Sequence, residues 1–245
     1  MRGYYQLTEK QKETIQKGFF RAKQAGYVGT ELFLQEEMNA DKKACYFLEA
    51  HAFASVFCPD KETAEITGFF LPHHRNRYEY EDFLRKVIRR LRLQGRKKIH
   101  IIGNAFCEKE TDILTGIFGE PEYAEYFMKK KGAFVPGSFK EERGYELEYE
   151  GKKIGRCKMT FHLNGWYLHG FQIQKEYRRQ GFGTKFLNEI LEDLTKEREN
   201  HIRLEYTDVF LQVSSRNEPA VKLYEKAEFS ISEQRNYYAV NTEKR

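Results

Sequence analysis

A chain of 245 residues with 40% hydrophobic and 32% charged side chains can bury one large core or two small ones. No apolar run approaches the roughly 20 residues of a membrane span, no signal-peptide pattern opens the sequence, and Cys45, Cys58, Cys107 and Cys157 are scattered without a CxxC pair. These features predict a soluble protein of the reducing cytoplasm and argue against a membrane partner, a zinc site or a disulfide framework. The net charge of +5 lies wholly in residues 1–140, mostly in Arg75–Lys98. That run reads as the solvated face of a helix opposite Phe83, Val87, Ile88 and Leu91, and no nucleic-acid-binding fold accompanies it.

In chain order, the patterning predicts a short strand at Tyr4–Leu7 and a helix over Glu9–Ala25, with Thr8 and Gln11 at capping-box spacing. Strand-like runs follow at Ala44–Phe57 and Ala64–Leu71, then a helix over Tyr80–Leu93, a strand at Lys98–Ile102 and a helix near Lys109–Ile117. Charge, glycine and proline interrupt the apolar pattern at Lys129–Glu142, which predicts a boundary between domains 1–140 and 141–245. Beyond it come strands at Tyr145–Tyr149, Lys153–Leu163 and Trp166–Ile173 and a helix over Gly183–Thr195. A strand at Asp208–Val213, a helix at Pro219–Lys226 and a strand near Ser230–Val240 follow. Strands and helices in this order predict an α/β or α+β sheet layered with helices.

The halves invite comparison as a repeat. Phe83, Leu84, Val87, Ile88 and Leu91 match Phe186, Leu187, Ile190, Leu191 and Leu194 at a constant offset of 103. Two unrelated amphipathic helices agree in this way by chance often enough that the alternative stays open. At the same offset Arg75 falls on Arg178, while Tyr78 and Tyr80 fall on Gly181 and Gly183. A first copy with side chains at both glycine positions would obstruct backbone approach to a phosphate.

Those two glycines lie in Arg178-Arg179-Gln180-Gly181-Phe182-Gly183-Thr184, between a strand and a helix. Such a turn aims free backbone N–H groups and the positive end of a helix at one spot, which suits a phosphate or pyrophosphate. A Rossmann site would need a third glycine and a following acid, and a P-loop would need Lys-Ser/Thr; neither is present.

Arg178-x-x-Gly181-x-Gly183 resembles the Q/R-x-x-G-x-G/A acetyl-CoA signature of the GCN5-related N-acetyltransferase (GNAT) family. Ile173–Arg178 resembles that family's V-x-P-x-x-R lead-in, with Lys175 in place of proline. Downstream, Leu211–Lys226 resembles L-x-V-x-x-x-N-x-x-A-x-x-L-Y-E-K, and Glu228-Phe229 stands for the usual Gly-Phe. The resemblance covers residues 145–240 and extends to the first half only through the repeat. It implies a GNAT-like fold, a mixed and mostly antiparallel sheet flanked by helices, in two tandem copies with a degenerate first domain. The family's opening strand and two helices have no room between Lys129 and Tyr145.

The resemblance further implies a transfer of acetyl from acetyl-CoA to a primary amine of a small molecule or peptide, without a metal. Backbone N–H groups of Gln180, Gly181, Phe182, Gly183 and Thr184 would bind the pyrophosphate, with Arg178 and Arg179 adding charge. Phe171, Gln172 and Ile173 would hold the pantetheine, with the Ile173 N–H as an oxyanion donor. Tyr224 aligns with the family's proton donor to the leaving thiolate; its spacing with Ala220 and Leu223 equally suits an aromatic packed in a core. Asn217 would cap the next helix or touch the cofactor. No general base is evident: His162, His169, Glu205 and Asp208 are the candidates. The missing base leaves open a non-catalytic acyl-CoA-binding or sensing protein.

Overall fold

The computed structural model describes residues 3–29, 34, 43–49, 52–70, 77–134, 136–138, 140–162, 165–196 and 207–240. The elements are α1 (Glu9–Gln24), β1 (Ala44–Leu48), β2 (Ala52–Phe57), β3 (Thr63–Phe70), α2 (Arg77–Leu93), β4 (Lys98–Asn104), α3 (Glu108–Phe118) and β5 (Tyr123–Phe134). They continue with β6 (Glu142–Tyr149), β7 (Lys152–His162), β8 (Gly165–Ile173), α4 (Phe182–Lys196), β9 (Thr207–Ser214), α5 (Glu218–Lys226) and β10 (Ser230–Ala239). No helix among the described residues is long and apolar enough to cross a membrane.

Two compact units emerge: Met1–Ala124 with Gln234–Arg245, and Glu125–Glu233. The boundary expected at 140/141 lies in the connection between β5 and β6, inside the second unit. The Lys129–Lys131 run that suggested a linker belongs to β5. The strand tolerates two of these cations because they are engaged and the third because it is exposed: Lys129 pairs with Asp208 at 3.3 Å, Lys130 reaches Glu228 at 2.6 Å and donates to the Ala227 carbonyl at 2.9 Å, and Lys131 faces solvent. The strand expected at Tyr4–Leu7 shrinks to one bridge between Tyr4 and Tyr46, since the chain turns at once into α1. That helix starts at the expected capping box, with Thr8 and Gln11 bonding reciprocally. The run Ala44–Phe57 is a hairpin of β1 and β2.

The first unit has the strand order β1-β2-β3-β4-β10, antiparallel except for β3 and β4. Its strands are buried on both faces. Ala52, Ala54 and Val56 of β2 face a core with Phe83, Leu84, Val87 and Leu91 of α2 and Leu114 of α3. Phe53 points the other way, to a cluster with Tyr46, Phe69 and Ile15 and Ala22 of α1.

In the second unit the order is β5-β9-β8-β7-β6, with β8 and β9 parallel. One face carries the core: Met159, Trp166, Leu168, Val209 and Leu211 meet Phe186, Leu187, Ile190 and Leu194 of α4 and Tyr224 of α5. The opposite face exposes Arg156, Lys158, Tyr167, His169 and Gln172, in keeping with the absence of sequence for two further helices. Alternation of buried and exposed residues along β7 records this one-sided covering.

Element for element, β1-β2-β3-α2-β4-α3-β5 repeats as β6-β7-β8-α4-β9-α5-β10. The closing strand of each repeat completes the sheet of the other. β10 pairs with β4, from Arg235↔Asn104 to Ala239↔His100, and β5 pairs with β9, from Glu125↔Ser214 to Phe134↔Thr207.

Candidate functional site

The site lies in the second unit, where β8 parts from β9. Their parallel register runs from Gly165↔Asp208 to Leu168↔Leu211, although β8 continues to Ile173 and β9 to Ser214. A bulge explains the parting. Between Lys158↔His169 and Arg156↔Gln172, one residue of β7 faces two of β8, namely Gly170 and Phe171. Gly170 sits at φ 65°, open to glycine at no steric cost. The added twist carries the end of β8 away from β9.

Beyond the bulge, Gln174 N–H donates to the Ile154 carbonyl of β7 at 2.8 Å. Successive backbone groups of a strand face opposite edges, so the N–H and carbonyl of Ile173 lie on the edge turned from β7. Arg178 Nε takes that carbonyl at 2.8 Å. A 3-10 turn over Lys175–Tyr177 follows, then Arg179 and Gly181 at φ 61° and 86°. The first intrahelical bond of α4 runs from Lys185 N–H to the Gly181 carbonyl at 3.0 Å. The N–H groups of Phe182, Gly183 and Thr184 therefore precede any helical acceptor, at the positive end of the helix dipole.

The two glycines do different things. Gly181 is required by its backbone conformation. A Cβ on Gly183 would sit 3.6 Å from Leu223 and 3.9 Å from Ile173, ordinary contact distances, so the protein's own packing does not exclude a side chain there. Its absence keeps the helix start approachable. Arg178, Arg179, Gln180 and Thr184 are all exposed, with Gln180 Nε2 held by the Glu176 carbonyl at 2.8 Å. Phe182 packs edge-on against Tyr149 and Tyr177, at 4.9 and 6.0 Å between ring centres.

Tyr224 is buried on α5, edge-on to Phe171 at 6.2 Å and to Phe229 at 5.8 Å. Burial, reinforced by the nearby Cys157 thiol, pushes its pKa up to about 12, so the phenol stays protonated at neutral pH and can donate. Asn217 stands at the N-cap of α5 and its carbonyl accepts from Ala220 and Val221. Its side chain makes no capping bond, which removes the side-chain cap that the sequence suggested, and it is exposed. Among the base candidates, Asp208 is engaged by Lys129, and His162 stacks edge-on against Tyr167. Glu205 lies outside the described residues. His169 is exposed, with Nε2 2.7 Å from Thr160 Oγ1.

Sequence reading missed Glu125, on a strand it did not assign. Burial raises the pKa of this carboxyl, while Gln212 Nε2 donates to it at 3.3 Å. It missed the bulge as well; a lone glycine in a strand pattern was the available signal. Among the described residues no group of His, Cys, Asp and Glu is arranged for a metal ion.

The first repeat departs from this arrangement. Tyr80 is buried in its unit, with the hydroxyl 3.3 Å from where a Cβ on Gly68 would be, whereas Tyr78 is exposed. Arg75 and Asn76, which correspond to Arg178 and Arg179, lie outside the described residues. Aligning α3 with α5 by their first residues, Glu108 and Glu218, puts Leu114 where Tyr224 stands.

No curated protein matches the chain. Among solved structures, a GCN5-related N-acetyltransferase from Sphaerobacter thermophilus superposes with a TM-score of 0.61 at 13% identity, covering 92% of this chain and 91% of that one. A tandem GNAT protein from the clavulanic acid biosynthesis pathway gives 0.61 at 10% identity, covering 98% of each. A GCN5-related N-acetyltransferase from Kribbella flavida gives 0.51 at 9%, covering 89% of this chain and 95% of that one. At such identities these likenesses establish the fold, including its tandem layout. The profile of the Acetyltransferase (GNAT) family matches residues 104–229, just over half of the sequence. The chain thus belongs to the GNAT acetyltransferase family.

Proposed function

We propose that the protein is an acetyl-CoA-dependent N-acetyltransferase that passes acetyl directly from the thioester to a primary amine. One observation carries this reading: the parallel strands β8 and β9 separate after Leu168↔Leu211, immediately before a glycine turn that opens α4. The edge at Phe171–Ile173, not paired with β9, offers backbone groups to the pantetheine as an added strand would, the Ile173 carbonyl being held by Arg178. The orphan N–H groups from Gln180 to Thr184 offer donors to the pyrophosphate, with positive charge from Arg178 and Arg179 nearby. The Ile173 N–H would polarise the thioester carbonyl.

Tyr224 donates its phenolic proton to the departing thiolate. Its position beside Phe171, at the parted end of β8, supports the role. The four free thiols suit the reducing cytoplasm.

Acetyl-CoA turnover followed by thiol release, over a panel of amines, tests the proposal. Tyr224→Phe should lower kcat by about 10²-fold or more, while the Kd for CoA, read by calorimetry, stays within about twofold. An unchanged kcat removes Tyr224 from the mechanism. Tight CoA binding with no turnover on any amine would favour a sensing protein, the second reading suggested by the lack of an acid on β8.

A further inference from the structure

On the bare face of the second unit a pocket of about 640 Å³ opens over β6, β7 and β8, reaching the bulge at Gly170 and the Cys157 position beneath it. We infer that this pocket is the acceptor site and that it takes a zwitterion, a small primary amine that also carries a carboxylate, such as a free amino acid. The inference rests on the acetyltransferase reading and gives its missing substrate a chemical class.

Charge is laid out across this face in one direction. On the side of the parted strands stands Glu125 of β5, held by Gln212 of β9. Next comes His169 of β8, and one strand further, about 4.8 Å away, the two cations of β7: Lys158 opposite His169 and Arg156 opposite Gln172. Arg156 Nε bonds Gln172 Oε1 at 3.3 Å, and its terminal nitrogens make no ion pair among the described residues. Lys158 leans toward Glu142 at 3.8 Å. Glu146, the acid on the pocket's far side, is neutralised by Lys153 at 2.5 Å. The charge left for a ligand is thus positive on β7 and negative beyond β9. An amine lying with its nitrogen at His169 and its carboxylate at Arg156 matches both ends.

His169 suits the proton that must leave that nitrogen. In the tautomer whose Nε2–H donates to Thr160 Oγ1, 2.7 Å away, Nδ1 is left to accept. The amine nitrogen forms its bond to the acetyl carbon as the carbon–sulfur bond breaks. The ammonium first gives up one proton through His169 Nδ1 to solvent; as the bond forms, a second passes from nitrogen to His169 Nδ1 and one from the Tyr224 hydroxyl to sulfur. The imidazolium then returns its proton to solvent, and the tyrosinate regains one.

The test begins with binding, so that it stands apart from turnover. Calorimetry on the full chain, with and without CoA, would compare amino acids with their decarboxylated counterparts, for example L-phenylalanine with 2-phenylethylamine and L-alanine with ethylamine, extended over the common amino acids. The proposal expects at least one amino acid to bind at least tenfold more tightly than its counterpart, and Arg156→Gln to erase that preference while leaving CoA affinity and melting temperature unchanged. No preference for any carboxylate, or a preference that survives Arg156→Gln, overturns it. Zwitterion binding without acetyl transfer would instead sink the acetyltransferase reading and leave the pocket standing. With an amino acid that is acetylated, His169→Gln should reduce kcat at least 100-fold at constant KM. An unaltered kcat would take His169 out of the proton path.

Discussion

The two units solve one problem in two ways. In the first, strands carry apolar side chains on both sides, and a helix layer covers each face. In the second, only the face toward α4 and α5 is apolar, and the other presents Arg156, Lys158, His169 and Gln172 to solvent. A sheet needs only one buried face to fold, and the uncovered one is then free to hold a polar ligand. The same contrast holds at the turn after the third strand of each repeat. The first repeat puts the Tyr80 ring inside its core, while the second keeps Gly181 and Gly183 and leaves its helix start open. Leu114 in place of Tyr224 completes the divergence: one repeat keeps the groups that chemistry would need, and the other has spent the same positions on packing.

The widest gap between the units should appear in stability. Phe53 is 1% exposed beneath α1, and Tyr167, on the bare face, is 40% exposed. Phe53→Ala should destabilise by about 3–5 kcal/mol, and Tyr167→Ala, which loses mainly its stacking on Phe210, by about 1 kcal/mol or less. Urea denaturation of the two variants would decide, and similar losses would break the contrast between covered and bare faces.

A second test concerns the open turn. Gly183→Ala meets its neighbours at ordinary contact distances but fills the approach to the α4 start. Affinity for CoA should fall about 100-fold, or about 3 kcal/mol, with the melting temperature nearly unchanged. Retained affinity would show that the turn does not hold the cofactor.

The smallest effect concerns Glu110, a buried carboxyl in the first turn of α3 that accepts from Asn104 N–H at 2.8 Å and Gly29 N–H at 3.2 Å. Burial outweighs these bonds and raises its pKa from 4.5 to about 7. Below about pH 4.5 the group is protonated whether the chain is folded or not. Between 4.5 and 7 the folded state keeps a proton that the unfolded chain has released, so this group's contribution to stability falls as pH rises and levels off above 7. The expected loss is on the order of 2–3 kcal/mol. Glu110→Gln should flatten that part of the curve in urea titrations at pH 5 and pH 8. An equal slope in both proteins would exclude Glu110 as its source.

Much of the second unit was legible in its sequence because its turn chemistry is local. Two glycines after an alternating run, a helical stripe from Phe186 to Leu194 and the Asn217–Tyr224 spacing each report on a few consecutive residues. The repeat was legible through α2 and α4, whose stripes share a period. What escaped notice depends on pairing between distant segments. β5 hides behind Lys129–Lys131, whose partners Asp208 and Glu228 are far along the chain. The bulge at Gly170 needs the register of β7, and the contact between Thr160 and His169 exists only once that register is set. Asn217 shows the opposite error: a residue type favoured at helix starts lends its backbone there and keeps its side chain free.

The exchange of closing strands has a bearing on how the molecule is made. Arg235 and Asn104, neighbours across the β4–β10 ladder, are separated by about 130 residues. As the polypeptide leaves the ribosome, the first sheet waits with the open edge of β4 until nearly all of the second repeat has been synthesised. Such distant pairing is slow, and an unpaired edge is where chains associate wrongly. The two repeats therefore reach their final form as partners in assembly, each holding a strand that the other requires.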